Sequence, residues 1–143
     1  MSSQDLKMID HSVQLTHEWI NDMAGRLGWV SKRSALRLLR VTLHAVRDHL
    51  QVAEVAHLSA QLPLMIRGIY FEGWSPKPTS NKGRHAYEFI AEVSGHLDDT
   101  EEFRGRADII CVFELLNARI SAGEIEDVRA NLPSEIRALW PAP

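Results

Sequence analysis

A single cysteine, Cys111, among 143 residues leaves no means for an intrachain disulfide or a multi-cysteine zinc site. A reducing cytoplasm is the expected compartment. Long apolar runs are also missing. None approaches the roughly 18 residues that a membrane span needs, and Met1-Ser2-Ser3-Gln4-Asp5-Leu6-Lys7 lacks the basic-then-apolar order of a signal peptide. The chain therefore reads as soluble and unprocessed, with no membrane partner. Nor is there an excess of positive charge. Sixteen Lys and Arg against nineteen Asp and Glu give a formal −3, which excludes a uniformly basic coat for nucleic acid. Neither Gly-x-Gly-x-x-Gly, nor a Walker loop, nor a flanked Ser, His and Asp arrangement occurs, so no cofactor and no catalytic residue is expected.

What is present is ordinary globular composition, 45% hydrophobic and 24% charged, on a length sufficient for one domain with a sizeable core. Its organisation emerges from self-similarity. Residues 15 to 73 laid over 85 to 143, at an offset of 70 without a gap, share ten identities: Glu18/Glu88, Ile20/Ile90, Gly25/Gly95, Leu27/Leu97, Glu54/Glu124, Ala60/Ala130, Leu62/Leu132, Pro63/Pro133, Ile66/Ile136 and Arg67/Arg137. Apolar pairs such as Trp19/Phe89, Leu43/Phe113 and Val55/Ile125 extend the match.

Each half reads as four helices. The first is expected from about Ser12 to Leu27 and again from about Arg84 to Leu97, because Val13, Ile20, Met23 and Leu27 recur at helical spacing, as do Phe89, Ile90, Val93 and Leu97. The second, expected to be the longest, carries Leu36, Leu39, Leu43, Val46 and Leu50 in steps of three and four, and belongs at the centre of its bundle. A capping box, Ser121-Ala122-Gly123-Glu124, opens the third helix of the second half. Pro63 and Pro133 suit the first position of the fourth.

Between the halves Gly73-Trp74-Ser75-Pro76-Lys77-Pro78-Thr79-Ser80-Asn81-Lys82-Gly83 cannot be regular helix. The expected architecture is all-α: a first repeat at about 11–73, a linker at 74–84 and a second repeat at about 85–143. A 60-residue unit is marginal alone. The two are therefore expected to pack as one pseudo-two-fold symmetric bundle in a single domain.

Certain segments resemble a known family. They are Leu62-Pro63-Leu64-Met65-Ile66-Arg67-Gly68-Ile69-Tyr70-Phe71-Glu72-Gly73-Trp74, then Tyr87-Glu88-Phe89, then Leu132-Pro133-Ser134-Glu135-Ile136-Arg137-Ala138-Leu139-Trp140. Together they are similar to the bacterial domain-of-unknown-function family 2267, over about His11 to Trp140. That resemblance implies a small helical bacterial protein and brings no reaction or cofactor with it.

Four sets of residues are candidates for function. Arg33, Arg37, Arg40, His44 and Arg47 follow each other at spacings of four, three, four and three, within about 40° of one line on the second helix. Beside the apolar ridge they are expected to face solvent, either as an ordinary solvated face or as a binding face for an anionic partner, nucleic acid included. The linker interleaves Tyr70, Trp74, Lys77, Lys82 and Arg84, which could hold a base or phosphate, or in which Trp74 could simply seal the junction. Glu54 with Arg67, and Glu124 with Arg137, are expected to form a structural ion pair in each repeat. Glu54-Val55-Ala56-His57 has metal-ligand spacing, but its copy ends in Asp127, and no metal is expected. Cys111 reads as a small core residue.

The halves also differ in charge, with eleven Lys and Arg against seven Asp and Glu up to residue 84, then five against twelve. Opposite halves of two copies could meet in a salt-sensitive, antiparallel homodimer. The leading expectation is a non-enzymatic interaction or adaptor module, with anion or nucleic-acid binding as the alternative and an enzyme without a sequence-visible site third.

Overall fold

The computed structural model describes residues 3–76 and 83–143, with side chains from residue 6 onward. All regular structure among the described residues is helical: α1 (Ser3–Leu27), α2 (Lys32–Asp48), α3 (Val52–Ser59), α4 (Leu64–Tyr70), α5 (Ala86–Gly95), α6 (Arg106–Arg119), α7 (Ala122–Ala130) and α8 (Ser134–Arg137). The linker lysines Lys77 and Lys82 lie outside the described residues.

Local sequence accounts for most of the boundaries. α1 stops where Gly28 adopts a positive φ of 70°. The Trp29 amide then donates to the Ala24 carbonyl at 3.0 Å and the Gly28 amide to Gly25 at 3.3 Å, which satisfies the last carbonyls of the helix. Ser31 caps α2, its hydroxyl accepting from the Ser34 amide at 3.1 Å. No acidic residue occupies the first turn of α2. Its amide end is instead met by Glu102, whose carboxylate accepts from Val30 and Ser31 at 2.9 and 3.0 Å. Pro63 and Pro133 sit one place earlier than expected, as N-caps with extended ψ of 155° and 145°. Of the expected capping box, the hydroxyl of Ser121 accepts from Glu124 N–H at 3.3 Å.

The longest helix is α1, with 25 residues to the 17 of α2, and it begins nine residues before the expected Ser12. The 3-4 apolar spacing does not stop at Val13. It continues back through Ile9 to Leu6, so a helical run from Leu6 to Leu27 was already encoded.

Buried side chains from both halves form one cluster. α2 lies inside it, with Ala35, Leu38, Leu39, Leu43 and Val46 buried. Each such leucine contributes about 1.5–3 kcal/mol through removal from water. α2 packs on α1, α4, α5 and α6, while α1 also meets α4 and α6, and α3 meets α7. From residue 51 to 68 the succession of buried, half-buried and exposed positions recurs at 121 to 138 without exception. One substitution stands out: where the first half buries Leu38, the second buries Asp108. At the C-terminal end Trp140 stacks on Phe113 with ring centroids 4.5 Å apart, and its indole N–H donates to Asn117 at 2.8 Å.

Candidate functional site

Two regions stand apart from the packed core, a cleft beside α2 and the free end of α1. The cleft has a volume of about 350 Å³. Its polar wall comprises His44, Arg47 and Asp48 of α2, Glu72 just past α4, and Glu92 and His96 of α5. It thus collects part of the expected basic stripe.

The stripe faces solvent at Arg33 and Arg37 and turns inward toward Arg47. Arg47 is 5% exposed. One of its terminal nitrogens donates to the carbonyls of Tyr70 and Glu72 at 2.7 and 2.8 Å, and its Nε to Asp48 at 2.9 Å. Those carbonyls close the C-terminal end of α4, where a cation is favoured both by unpaired acceptors and by the helix dipole. Arg40 donates to Glu72 at 3.0 Å, and Arg37 to the His96 carbonyl at 3.1 Å with Asp99 at 3.8 Å. His44 Nε2 lies 2.7 Å from the Ile69 carbonyl. Burial, the largest influence, together with Arg47 holds the imidazole below its ordinary pKa and hence neutral at pH 7. Arg33 and Arg37 are the members that stay exposed. The amphipathic arc omitted α4 and α5, which pack over it.

The other candidates are distributed differently. Tyr70 is buried, its hydroxyl donating to the Val55 carbonyl at 3.0 Å. Trp74 is half-buried against the core beside Phe71, and Arg84 is at the surface. The expected ion pairs within each repeat are replaced by bonds to backbone. Arg67 donates to the Leu62 carbonyl at 3.0 Å, and Arg137 to those of Arg129 and Leu132 at 2.8 and 3.1 Å. Among the described residues no ion pair joins either arginine to its glutamate. The turns before α4 and α8 present the Leu62 and Leu132 carbonyls to the two guanidinium groups, which bond there instead. Cys111 is half-buried, and burial pushes its thiol pKa up, so it is a poor nucleophile at neutral pH. No group of three or more His, Cys, Asp and Glu among the described residues is placed to hold a metal.

The opposite charges of the halves meet inside the chain. Asp22 of α1 holds Arg26 at 2.8 Å and Arg119 of α6 at 3.0 Å. Arg37–Asp99 and Glu102 at the start of α2 use charges that were expected to pair between copies, whereas Asp22–Arg119 joins an acid of the basic half to a base of the acidic half.

The free end of α1 is the region the sequence reading missed. Leu6, Ile9 and Val13 are 53%, 47% and 41% exposed, on a helix whose buried residues begin at Thr16. Leu6, Ile9, Val13, Thr16, Ile20, Met23 and Leu27 alternate steps of three and four, so one heptad seam runs the length of α1. Its C-terminal half is covered by the bundle. Its N-terminal half projects about 15 Å beyond it.

The family described as "Uncharacterized conserved protein (DUF2267)" matches residues 16–139. The chain belongs to that family. None of the curated proteins compared with it matches. The DUF2267 match begins at Thr16, where α1 enters the core, and covers every buried residue except Trp140. The projecting end of α1 thus lies outside the part this chain shares with the family. No helix among the described residues is long and apolar enough to cross a membrane.

Proposed function

We propose that this DUF2267 protein is a non-enzymatic interaction module: a helical bundle of two homologous halves that presents the free end of α1 to a second copy of itself. The observation that carries this reading is the continuous heptad seam of α1, covered from Thr16 onward and bare at Leu6, Ile9 and Val13. An isolated helix end of this length is marginal in water, and a partner along its apolar face would stabilise it. A parallel pair would drive the two bundles into each other, because the same seam continues into each. An antiparallel pair sets them at opposite ends and closes with two-fold symmetry. Between Leu6 and Leu15 the charged side chains are Lys7 and Asp10, so two such segments approach without net repulsion.

A pseudo-two-fold bundle forming one domain is part of this proposal. Support comes from the recurrence of burial at an offset of 70, and from contacts that exchange under it: α1 with α6 corresponds to α5 with α2, α1 with α4 to α5 with α8, and α3 with α7 to itself. Anion or nucleic-acid binding draws less support, since Arg37, Arg40, His44 and Arg47 are engaged within the chain.

Amide spectra recorded over a dilution series test the interface. Shifts confined to residues 3–15 are expected. Concentration-independent spectra, or changes centred on the α2 cleft, would contradict the proposal.

A further inference from the structure

The two glutamates retained at the same place in both halves, Glu54 and Glu124, lie on the paired helices α3 and α7. Below them Val55 and Ile125 are completely buried, as are Leu58 and Val128. One carboxylate oxygen of each glutamate, Glu54 Oε2 and Glu124 Oε1, is buried without a hydrogen-bond partner. The Glu54 side chain is only 20% exposed. A buried acceptor without a donor is unfavourable, and two negative carboxyl groups held near each other are doubly so.

The surroundings do little to relieve this. On α3, His57 approaches Glu54 Oε1 at 3.8 Å but is itself largely exposed. On α7, Asp127 adds a further negative charge near Glu124. From α4, the Tyr70 hydroxyl is committed to the Val55 carbonyl, and the Gln61 carboxamide oxygen accepts from the Ser121 amide. Arg137 donates to backbone carbonyls, and Arg67 donates to Leu62 through one terminal nitrogen while its Nε is buried without a partner.

We propose that Glu54 and Glu124 make the α3–α7 seam a pH-responsive joint, which takes up a proton in mild acid and tightens, and which loosens when both carboxylates are ionised. Protonation removes one charge and supplies the seam with a hydroxyl donor where it has two unpaired acceptors. In support, burial first, then Glu54 and then Asp127 raise Glu124 above the usual carboxylate range, against a smaller opposing influence of His57. A group whose pKa is raised on folding contributes stability below its unfolded pKa, and that contribution is lost as pH rises through the folded value. The joint therefore weakens from about pH 4.5 upward. It is independent of the dimer, because α3 and α7 are remote in sequence from the α1 seam.

Melting temperatures of the full chain, Glu54→Gln and Glu124→Gln at pH 4 and pH 7.5 test this. At pH 7.5 each variant should melt higher than the parent, by about 3 °C or more. At pH 4 the three should melt alike. A gain of equal size at both pH values, or no gain at pH 7.5, overturns the proposal. Should glutamine perturb packing, carbon-13 titration of the parent decides: the Glu124 carboxyl should titrate above the ordinary range and move down in Glu54→Gln. An ordinary midpoint in the parent overturns it equally.

Discussion

Arg47 of α2 closes the end of α4, one terminal nitrogen donating to both the Tyr70 and the Glu72 carbonyl at 2.7 and 2.8 Å. A cation on the polar side of an amphipathic helix is thereby made part of the interior. It joins α2 to the residues that follow α4. Replacing Arg47 with alanine removes the donor that the buried Tyr70 carbonyl and the half-buried Glu72 carbonyl share. A loss of about 2–4 kcal/mol is expected in urea unfolding. Lysine restores the charge but not the planar fork, so Arg47→Lys should recover only part of it. Arg33→Ala, at an exposed site, should stay within about 0.5 kcal/mol of the parent.

The same geometry yields a prediction about nucleic acid. With Arg37, Arg40 and Arg47 engaged, the free cations of α2 shrink to its first turn. Titration with a short DNA duplex at about 50 mM salt should show no specific complex. Tight binding that weakens steeply as salt rises would restore the stripe as a phosphate-binding face.

Much of this fold was legible in the sequence, because an apolar residue at every third or fourth place dictates a buried helical face wherever the partner comes from. Val55 and Ile125, or Leu43 and Phe113, are buried together as their matching suggested. What periodicity could not resolve was the destination of polar side chains. Arg47 and Arg33 lie on the same arc of one helix, yet one is buried and the other exposed, since the end of α4 closes over Arg47. Arg67 looked like a partner for Glu54 across a short turn. The carbonyl ends within that turn, invisible to a residue-by-residue reading, compete for the same guanidinium. The projecting seam was legible through Leu6 and Ile9, but its lack of cover was not.

Asp108 stands where the two halves differ most in chemistry. It is completely buried where the first half has Leu38, and Arg104 holds it through Nε and Nη2 at 3.1 and 2.7 Å while also donating to the Leu27 carbonyl. Arg104 is itself largely exposed, so solvent screens the pair. Arg104→Ala should still destabilise the fold, because the buried Asp108 keeps the backbone amide of residue 104 but loses the guanidinium. Asp108→Leu introduced into that variant should regain most of the loss. A double-mutant cycle by denaturant unfolding reads this directly, and strict additivity would contradict it.

His85 and Glu135 supply a second titrating contact, at the surface between α5 and α8. Their side chains are 2.8 Å apart, and Glu135 also accepts from the Ala86 amide at 3.2 Å. The hydrogen bond to Glu135, then its charge, raise the His85 pKa, while the bond from His85 first and the Ala86 amide second lower that of Glu135. The raised imidazole contributes below about pH 6.5 and loses its contribution as pH rises through its folded value. The lowered carboxyl contributes above about pH 4.5 and loses its contribution as pH falls through its folded value. The contact is strongest between these limits. In Glu135→Gln the His85 proton resonances should titrate nearer the ordinary histidine value, and an unchanged midpoint would count against the contact.

The most direct test of the interaction reading is sedimentation equilibrium of the full chain beside Ile9→Lys, carried to about 1 mM, since so small a seam gives weak association. Ile9 is exposed and outside the core, so the variant should keep the melting temperature of the parent. The parent is expected to approach the mass of a dimer and Ile9→Lys to remain a monomer. A parent that stays monomeric throughout, or a variant that associates equally well, would contradict it.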